Sequence, residues 1–425
     1  MHALFITLGS HGDIHPFIDI AKAMQARGHQ ATLCTNPYFQ QQIEQAQIDF
    51  EPFGQHQDLR EIIEKNKTMD ATVGPLVVLR QLLVPEVANF IQRTRELIRE
   101  HQPDVVVYHP IVMGVPWVCQ LEGLARTVSI SPSPLLWGNP NDPSVLMPFR
   151  TRPPGPLVMR IERAIAGMVL GLALDPALNR LRKKLGLPAQ RENLHRAATE
   201  AAINLGIWSP LLRPPLEGDP CNAHITGFTW HDQDHTQQAS IDEILQFLGA
   251  GSPPIVFALG STGVHAAAHF YEHAVHASRA LGERALLIIG RDQPPPQNMH
   301  NDVGIKSLAY APYSQVFPRA RIVVHHGGAG TTAQALRAGN PTLITPMAHD
   351  QFDNASRVHD LGVGDTLRFA CVNASRLRKA LQVLLLNTQA AHAAKQLAPC
   401  VAAEDGSARS AEIIAASAHT LCSGI

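Results

Sequence analysis

Charge is scarce in this sequence. Asp, Glu, Lys and Arg make up 17% of its 425 residues, and 35 basic side chains nearly cancel 36 acidic ones, leaving a formal net charge of −1. No long-range field favours nucleic acid or an anionic surface, so nucleic acid is not an expected partner. The six cysteines are Cys34, Cys119, Cys221, Cys371, Cys400 and Cys422, and none sits at CxxC spacing. In a sequence this long they read as reduced thiols, not as a disulfide framework. No run approaches 18 apolar residues. The nearest, AIAGMVLGLAL over 164–174, is too short to span a bilayer. The opening MHALFITLGSHGD has no basic leader, long apolar core or small-residue cleavage site, so no signal peptide is expected. The expected location is the cytoplasm, with at most peripheral contact at the inner face of the membrane. Histidine is plentiful, at 22 residues, yet no HExxH or comparable ligand array occurs. The triplet Asp232-Gln233-Asp234 matches the DxD pattern of metal-dependent transferases, but it falls in a polar stretch that reads as linker. No metal and no cofactor are expected.

What is present is alternation of buried strands and helices. Residues 3–8 form a continuous apolar run, as in a strand covered on both faces. GSHGDIHP interrupts it. Phe17, Ile20, Ala21 and Met24 then recur at helical spacing, Gly28 stops that helix, and 31–35 reads as the next strand. Strand–helix–strand implies a right-handed parallel unit. Further strands are expected at 105–108 and 127–131, then a Pro-rich loop region over 132–156 and a helix over 156–187. Pro, Gly, Asp and His accumulate over 210–234, which reads as the interdomain linker. The second half repeats the layout with strands at 255–259, 285–289, 322–325 and 342–345, and a last helix over 407–419. The expected division is an N-terminal domain over 1–220, a C-terminal domain over 235–405, and a terminal helix in 406–425 that is a candidate to pack back on the first domain. Two doubly wound α/β domains would hold ligands in the crevice between the carboxyl ends of their strands.

Four motifs lie at those strand ends. VVHHGGAGTT, from Val323 to Thr332, is a buried strand, a turn through Gly327, Gly328 and Gly330, and a helix start near Thr331. Small residues let the backbone approach an anion, and free N–H groups at a helix start bind phosphate. His326 and the Thr331 hydroxyl add donors. A plain glycine turn is the competing explanation. PMAHDQFDN follows the next strand, and Asp350 with Gln351 offers acceptor and donor groups for two sugar hydroxyls. An N-cap by Asp350 is the alternative. Ser261, in Gly260-Ser261-Thr262, could bond a phosphate across the cleft, though strand-to-helix turns favour Gly and Ser anyway. In GSHGDIHP, Asp13 could take the proton of a hydroxyl or could cap its helix, with His11 and His15 as further base candidates.

Taken together, GSHGDIHPF, VVHHGGAGTT and PMAHDQFDN resemble the family 1 nucleotide-sugar glycosyltransferases over almost the whole sequence. That family has the GT-B fold, two Rossmann-like domains facing a central cleft. Within it, MHALFITLGSHGDIHPFIDIAKAMQARGHQATLCT, LAYAP and AHDQFDNA are most similar to the rhamnosyltransferases of bacterial rhamnolipid synthesis. Sterol and macrolide glycosyltransferases share the opening more loosely. The resemblance implies Asp13 as catalytic base. It implies a diphosphate cradle of Ser261, His326, Gly328, Gly330 and Thr331, and donor-sugar contacts from Asp350 and Gln351. It places Tyr310, Ala311 and Gln334 against the nucleoside. Tyr310 replaces a stacking Trp and Gln334 a ribose-binding Glu, which fits dTDP donors, whose sugar lacks a 2′-hydroxyl. The implied reaction is a metal-independent inverting transfer of a hexose or deoxyhexose, rhamnose favoured, from a dTDP- or UDP-sugar to a lipophilic hydroxyl acceptor such as a hydroxyalkanoyl lipid. UDP-glucose with a sterol or polyketide is the alternative, and a non-catalytic sugar-nucleotide-binding helper is the alternative of another class. Candidate walls for the acceptor are 69–84, Trp117, 134–137 and 164–174. This apolar region shows no basic face to anchor it to a membrane.

Overall fold

The computed structural model describes residues 1–55, 59–231, 238–291, 293–299 and 303–417. Its strands follow in sequence order: β1 (His2–Ile6), β2 (Gln30–Thr35), β3 (Asp49–Pro52), β4 (Val105–Tyr108), β5 (Thr127–Ser131), β6 (Ile203–Gly206) and β7 (Ala223–Ile225) in the first half. The second half holds β8 (Ile255–Ala258), β9 (Ala285–Ile288), β10 (Ile305–Leu308), β11 (Ile322–His325), β12 (Thr342–Ile344) and β13 (Gly364–Thr366). They form a seven-stranded sheet of order β3-β2-β1-β4-β5-β6-β7 and a six-stranded sheet of order β10-β9-β8-β11-β12-β13. The pairings are parallel throughout, for example Ala3 with Ala31 and Val323 with Thr342. Both sheets are covered on both faces, which is why their central strands are unbroken apolar runs. Leu4 and Ile6 enter one core and Ala3 and Phe5 the other. Ile255 and Phe257 divide from Val256 and Ala258 in the same way. The result is two doubly wound α/β domains.

Three expectations need correction. The stretch expected as linker contains β7, which pairs with β6, so the first domain runs through Ile225 and past residue 220. Its three residues carry almost no pattern of their own, and the neighbouring strand supplies their order. The helix after the glycine turn begins at Ala329, not at Thr331, because Gly330 adopts helical backbone within it. Trp117 is no cleft wall. It lies in the helix Val115–Leu121, buried in the core beneath the Arg182 guanidinium, 5.2 Å from its ring. The Asp232-Gln233-Asp234 triplet lies outside the described residues.

The polypeptide crosses between domains twice. After the second sheet, the helix Gly406–Ala416 returns to the first domain and packs on the helix His11–Gln25, with Ala411 and Ile414 in the same core as Ile14 and Ile18. At the base of the cleft a buried ion network joins the halves. Arg357 donates through Nη2 to both oxygens of Asp142, at 3.0 and 2.9 Å, and through Nε to Asp353 at 2.7 Å. Asp353 also accepts the Val145 amide at 2.8 Å. Arg213 joins Asp142 from the far side at 3.4 Å. Arg357, Asp353 and Asp142 are all nearly inaccessible, so each charge depends on its partners for compensation. Replacing Arg357 by Met should therefore cost about 3–5 kcal/mol of stability, because buried Asp353 loses its cation and Asp142 keeps only the longer contact to Arg213. Denaturant unfolding of the whole protein measures this, and a loss within experimental error would show that the network contributes no net stability.

Candidate active site

A cleft of about 1750 Å³ runs between the domains, lined by residues from the carboxyl ends of both sheets. The geometry follows from parallel strands, whose loops on that side are free to carry chemistry. Its lining includes Asp13 and His11 from the first domain, and Ser261, Tyr310, His326, Gly330, Thr331, Gln334, Asp350 and Gln351 from the second. The fold therefore brings the sequence-derived candidates to one space.

Asp13 sits three residues into its helix and makes a capping box with Ser10. Its Oδ2 accepts the Ser10 amide at 2.8 Å and the Ser10 hydroxyl at 3.1 Å. Capping and cleft chemistry are thus compatible, because each uses a different oxygen. Oδ1 lies 3.5 Å from Nε2 of His109. His109 directly follows β4, and its Nδ1 accepts the Ile111 amide at 3.2 Å. An amide can only donate, so the imidazole proton is on Nε2, facing the carboxylate. Burial lowers the His109 pKa, which Asp13 partly opposes. A neutral N–H thus faces Asp13 without closing a hydrogen bond to it. The four motifs do not include His109, although a polar residue immediately after a buried strand at a ligand edge is a usable signal. His11 opens the helix, also in the cleft. Burial lowers it to about 4, with His231 and Arg291 adding to the effect, and its Nδ1 has no partner among the described residues. His15 also lines the cleft, bonded to Gln42 at 3.0 Å and packed 4.1 Å from the His231 ring.

Opposite Asp13 is the turn after β11. Gly327 has φ of +94° and Gly328 begins the helix Ala329–Ala338 with no side-chain cap. The first N–H groups of that helix therefore point outward without an intrahelical partner. The His326 ring fits between two glycines. A Cβ on Gly260 would lie 2.4 Å from its Cε1, and one on Gly328 would lie 2.5 Å from its Nε2. Burial lowers His326 to about 4, so it is neutral in the working range and can offer one N–H to an anion. Its Nδ1 has no partner among the described residues. Thr331 is nearly buried at the first turn, and Ser261 is exposed on the short turn after β8. Tyr310 is half-buried, with the Arg291 guanidinium 5.8 Å from its ring. Ala311 is fully buried beneath it. The Oε1 of Gln334 is buried without a partner among the described residues.

The loop after β12 completes the far wall. Asp350 occupies the N-cap position of the helix Gln351–Asp360, yet its side chain does not cap. It accepts from Asn354 Nδ2 at 3.0 Å, and Asn354 also donates to the Gly327 carbonyl at 2.8 Å, tying this loop to the cradle turn. Gln351 spends its Oε1 on the Met347 and Ala348 amides, at 2.8 and 3.1 Å, which leaves its NH₂ for a ligand. His349 is left-handed, at φ +57°, and its ring bonds the Thr68 carbonyl of the first domain. No local pattern could announce that contact. Enclosure raises Asp350 to about 6, with the Asp13 charge across the cleft adding to the effect. A raised carboxyl binds its proton more tightly in the folded protein. Its contribution to stability is present at acid pH and is lost as pH rises through about 6. Ligand contact has the opposite sign, because only the ionised form accepts two hydroxyls. With saturating acceptor, kcat/KM for the donor should fall as pH drops through about 6, and Asp350→Asn should be weak at every pH and lack that limb. A variant that kept the limb would take Asp350 out of donor contact.

Comparison with known proteins agrees with the two-domain fold. The family model for the N-terminal domain of glycosyltransferase family 28 matches residues 3–120, and that for the C-terminal domain of erythromycin biosynthesis protein CIII-like proteins matches 285–416. One relative is O-mycaminosyltylonolide 6-deoxyallosyltransferase of Streptomyces fradiae, 27% identical and covering 96% of this chain and 95% of its own length. Another is a sterol 3-beta-glucosyltransferase of Arabidopsis thaliana, 28% identical over 96% of this chain and 64% of its own. The crystal structure of the kitacinnamycin glycosyltransferase superposes with a TM-score of 0.75 at 20% identity, covering 97% of this chain and 98% of that one. With one model on each domain, full-length relatives and the two facing sheets, the chain is a nucleotide-sugar glycosyltransferase of the GT-B fold.

Proposed function

We propose that the protein is an inverting, metal-independent transferase that moves a deoxyhexose, with rhamnose the first choice, from a dTDP-sugar to the hydroxyl of a lipophilic acceptor. The observation that carries this reading is the placement of the Asp13 carboxylate opposite the uncapped helix start at Gly328, in one cleft with an apolar arm. Asp13 takes the acceptor proton as the oxygen attacks the anomeric carbon. The bond to the diphosphate breaks, and its charge is held by amide N–H groups of the helix Ala329–Ala338, His326, Thr331 and Ser261. One displacement inverts the anomeric centre, and a preorganised helix end does the work a metal ion would do elsewhere.

Donor choice rests on Gln334 and Tyr310. An amide at position 334 offers a ribose 2′-hydroxyl less than a carboxylate would, which suits a deoxyribose. The 6-deoxyallosyl transfer named for the Streptomyces relative supports a deoxyhexose. The acceptor arm is walled by Leu79, Leu82, Leu83, Phe90, Leu136 and Leu170, which suits an alkyl tail such as that of a hydroxyalkanoyl lipid. Glucose transfer from UDP-glucose to a sterol is the second reading, supported by the sterol-directed relative.

A mass-spectrometric screen of dTDP-rhamnose and UDP-glucose against hydroxyalkanoyl lipids and sterols tests both readings. Products are expected with dTDP-rhamnose and a lipid alcohol, and Gln334→Glu should move the ratio of rates toward UDP donors. Loss of donor without any glycoside would favour an epimerase or hydrolase. Asp13→Asn should cut kcat by about a hundredfold or more, the usual scale for a positioned base, while donor affinity by calorimetry is unchanged. His109→Phe, which keeps the volume but removes the N–H facing Asp13, should lower kcat about tenfold at unchanged donor KM. An Asp13→Asn enzyme that turned over normally would dismiss the base assignment.

A further inference from the structure

The long helix Pro156–Lys184 is apolar on two sides. One side walls the acceptor arm through Gly167, Leu170, Gly171 and Leu174. The other side faces outward, and there Leu157, Ile161, Met168 and Leu172 are 72%, 51%, 59% and 73% exposed. Their spacing of four, seven and four residues aligns them as one stripe about 22 Å long. A contiguous apolar stripe of this length marks a contact surface.

The charges around it say what kind. Of the exposed charges of the helix, Arg160 near one end lines the cleft, and Arg180, Lys183 and Lys184 lie at the other end. Its two acids are withdrawn. Glu162 is buried and accepts from Arg150 Nε at 2.8 Å. Asp175 is held by the Glu192 amide at 2.9 Å and by Asn193 Nδ2 at 2.8 Å. The fold thus withdraws the acids of this helix and leaves its exposed cations at the end beyond the stripe. A second copy packed two-fold on the stripe would set cationic ends against cationic ends or against uncharged helix. An anionic headgroup layer matches both the apolar stripe and the cations.

We propose that this face of the helix seats the enzyme on an anionic lipid bilayer, with the acceptor arm along a neighbouring face of the same helix. The mouth of the arm then lies within about one helix diameter, roughly 10 Å, of the headgroups, and a lipophilic alcohol passes from the lipid phase into the cleft without crossing open water. The purpose of the contact rests on the acceptor reading above. The contact itself does not, because adsorption is measured without turnover.

The test is co-sedimentation of the full-length protein with vesicles of phosphatidylcholine, and with vesicles of equal parts phosphatidylcholine and phosphatidylglycerol. The protein is expected to pellet with the mixed vesicles, to bind the neutral ones more weakly, and to be released by high salt. Replacing Leu157, Ile161, Met168 and Leu172 together by Ser should reduce binding by about tenfold or more. Replacing Arg180, Lys183 and Lys184 together by Gln should reduce it to the level seen with neutral vesicles. None of these seven side chains lines the cleft, so both variants should melt like the parent and turn over a short, water-soluble alcohol at the parent's rate. A parent protein that stays in the supernatant with both vesicles overturns the proposal. So does a dimer, seen by light scattering, that the serine variant dissociates, because a second copy would then own the stripe. Vesicle binding with no turnover of any alcohol would sink the acceptor reading and leave the membrane contact standing.

Discussion

The guanidinium of Arg357, held between Asp142 of one domain and Asp353 of the other, is the contact on which the cleft depends. Each sheet presents its functional loops at one edge only, so the site exists only while those two edges face each other. Apolar packing also joins the domains, with Trp137, Trp208 and Phe228 of the first in one cluster with Leu336, Ile344 and Val358 of the second, but such packing is non-directional. A buried ion network is directional, and breaking it strands charge in a low-dielectric interior. The helix that carries Arg357 begins at Gln351, directly after the loop bearing Asp350. That helix therefore also positions the loop bearing Asp350.

Burial then sets the charge state of the site. His326, His11 and His109 are all held below the ordinary histidine range by desolvation. They are neutral donors and acceptors, not fixed cations. The turn after β11 thus offers an anion amide dipoles and neutral side chains and no fixed cation. Asp350 is pushed the other way by the same enclosure and by Asp13 facing it. The two carboxylates share one cleft and differ in surroundings. Asp13 is held by Ser10 and faced by His109, while Asp350 is tied to Asn354 and, through it, to the cradle turn.

The long helix Pro156–Lys184 has no single apolar stripe because it serves two surfaces. Its inner side completes the acceptor arm against the helical segment Val77–Leu83, which packs on it. Its outer stripe stays open to solvent among the described residues.

Much of this was legible in the sequence. Buried parallel strands announce themselves as short apolar runs, and the loops at their carboxyl ends hold Asp13, Ser261, His326 and Asp350 as a matter of topology. The glycine turn after His325 was readable because close backbone approach admits little else there. Edge strands such as Asp49–Pro52 and Ala223–Ile225 were not, since they are short, half polar and ordered mainly by their neighbours. The same limit hid every contact made between distant parts of the sequence. That His109 faces Asp13, that His349 reaches Thr68, and that Trp117 turns into the core were decided only in three dimensions. Local periodicity determines which residues lie at a strand end, and only the packing of two domains determines which strand ends meet.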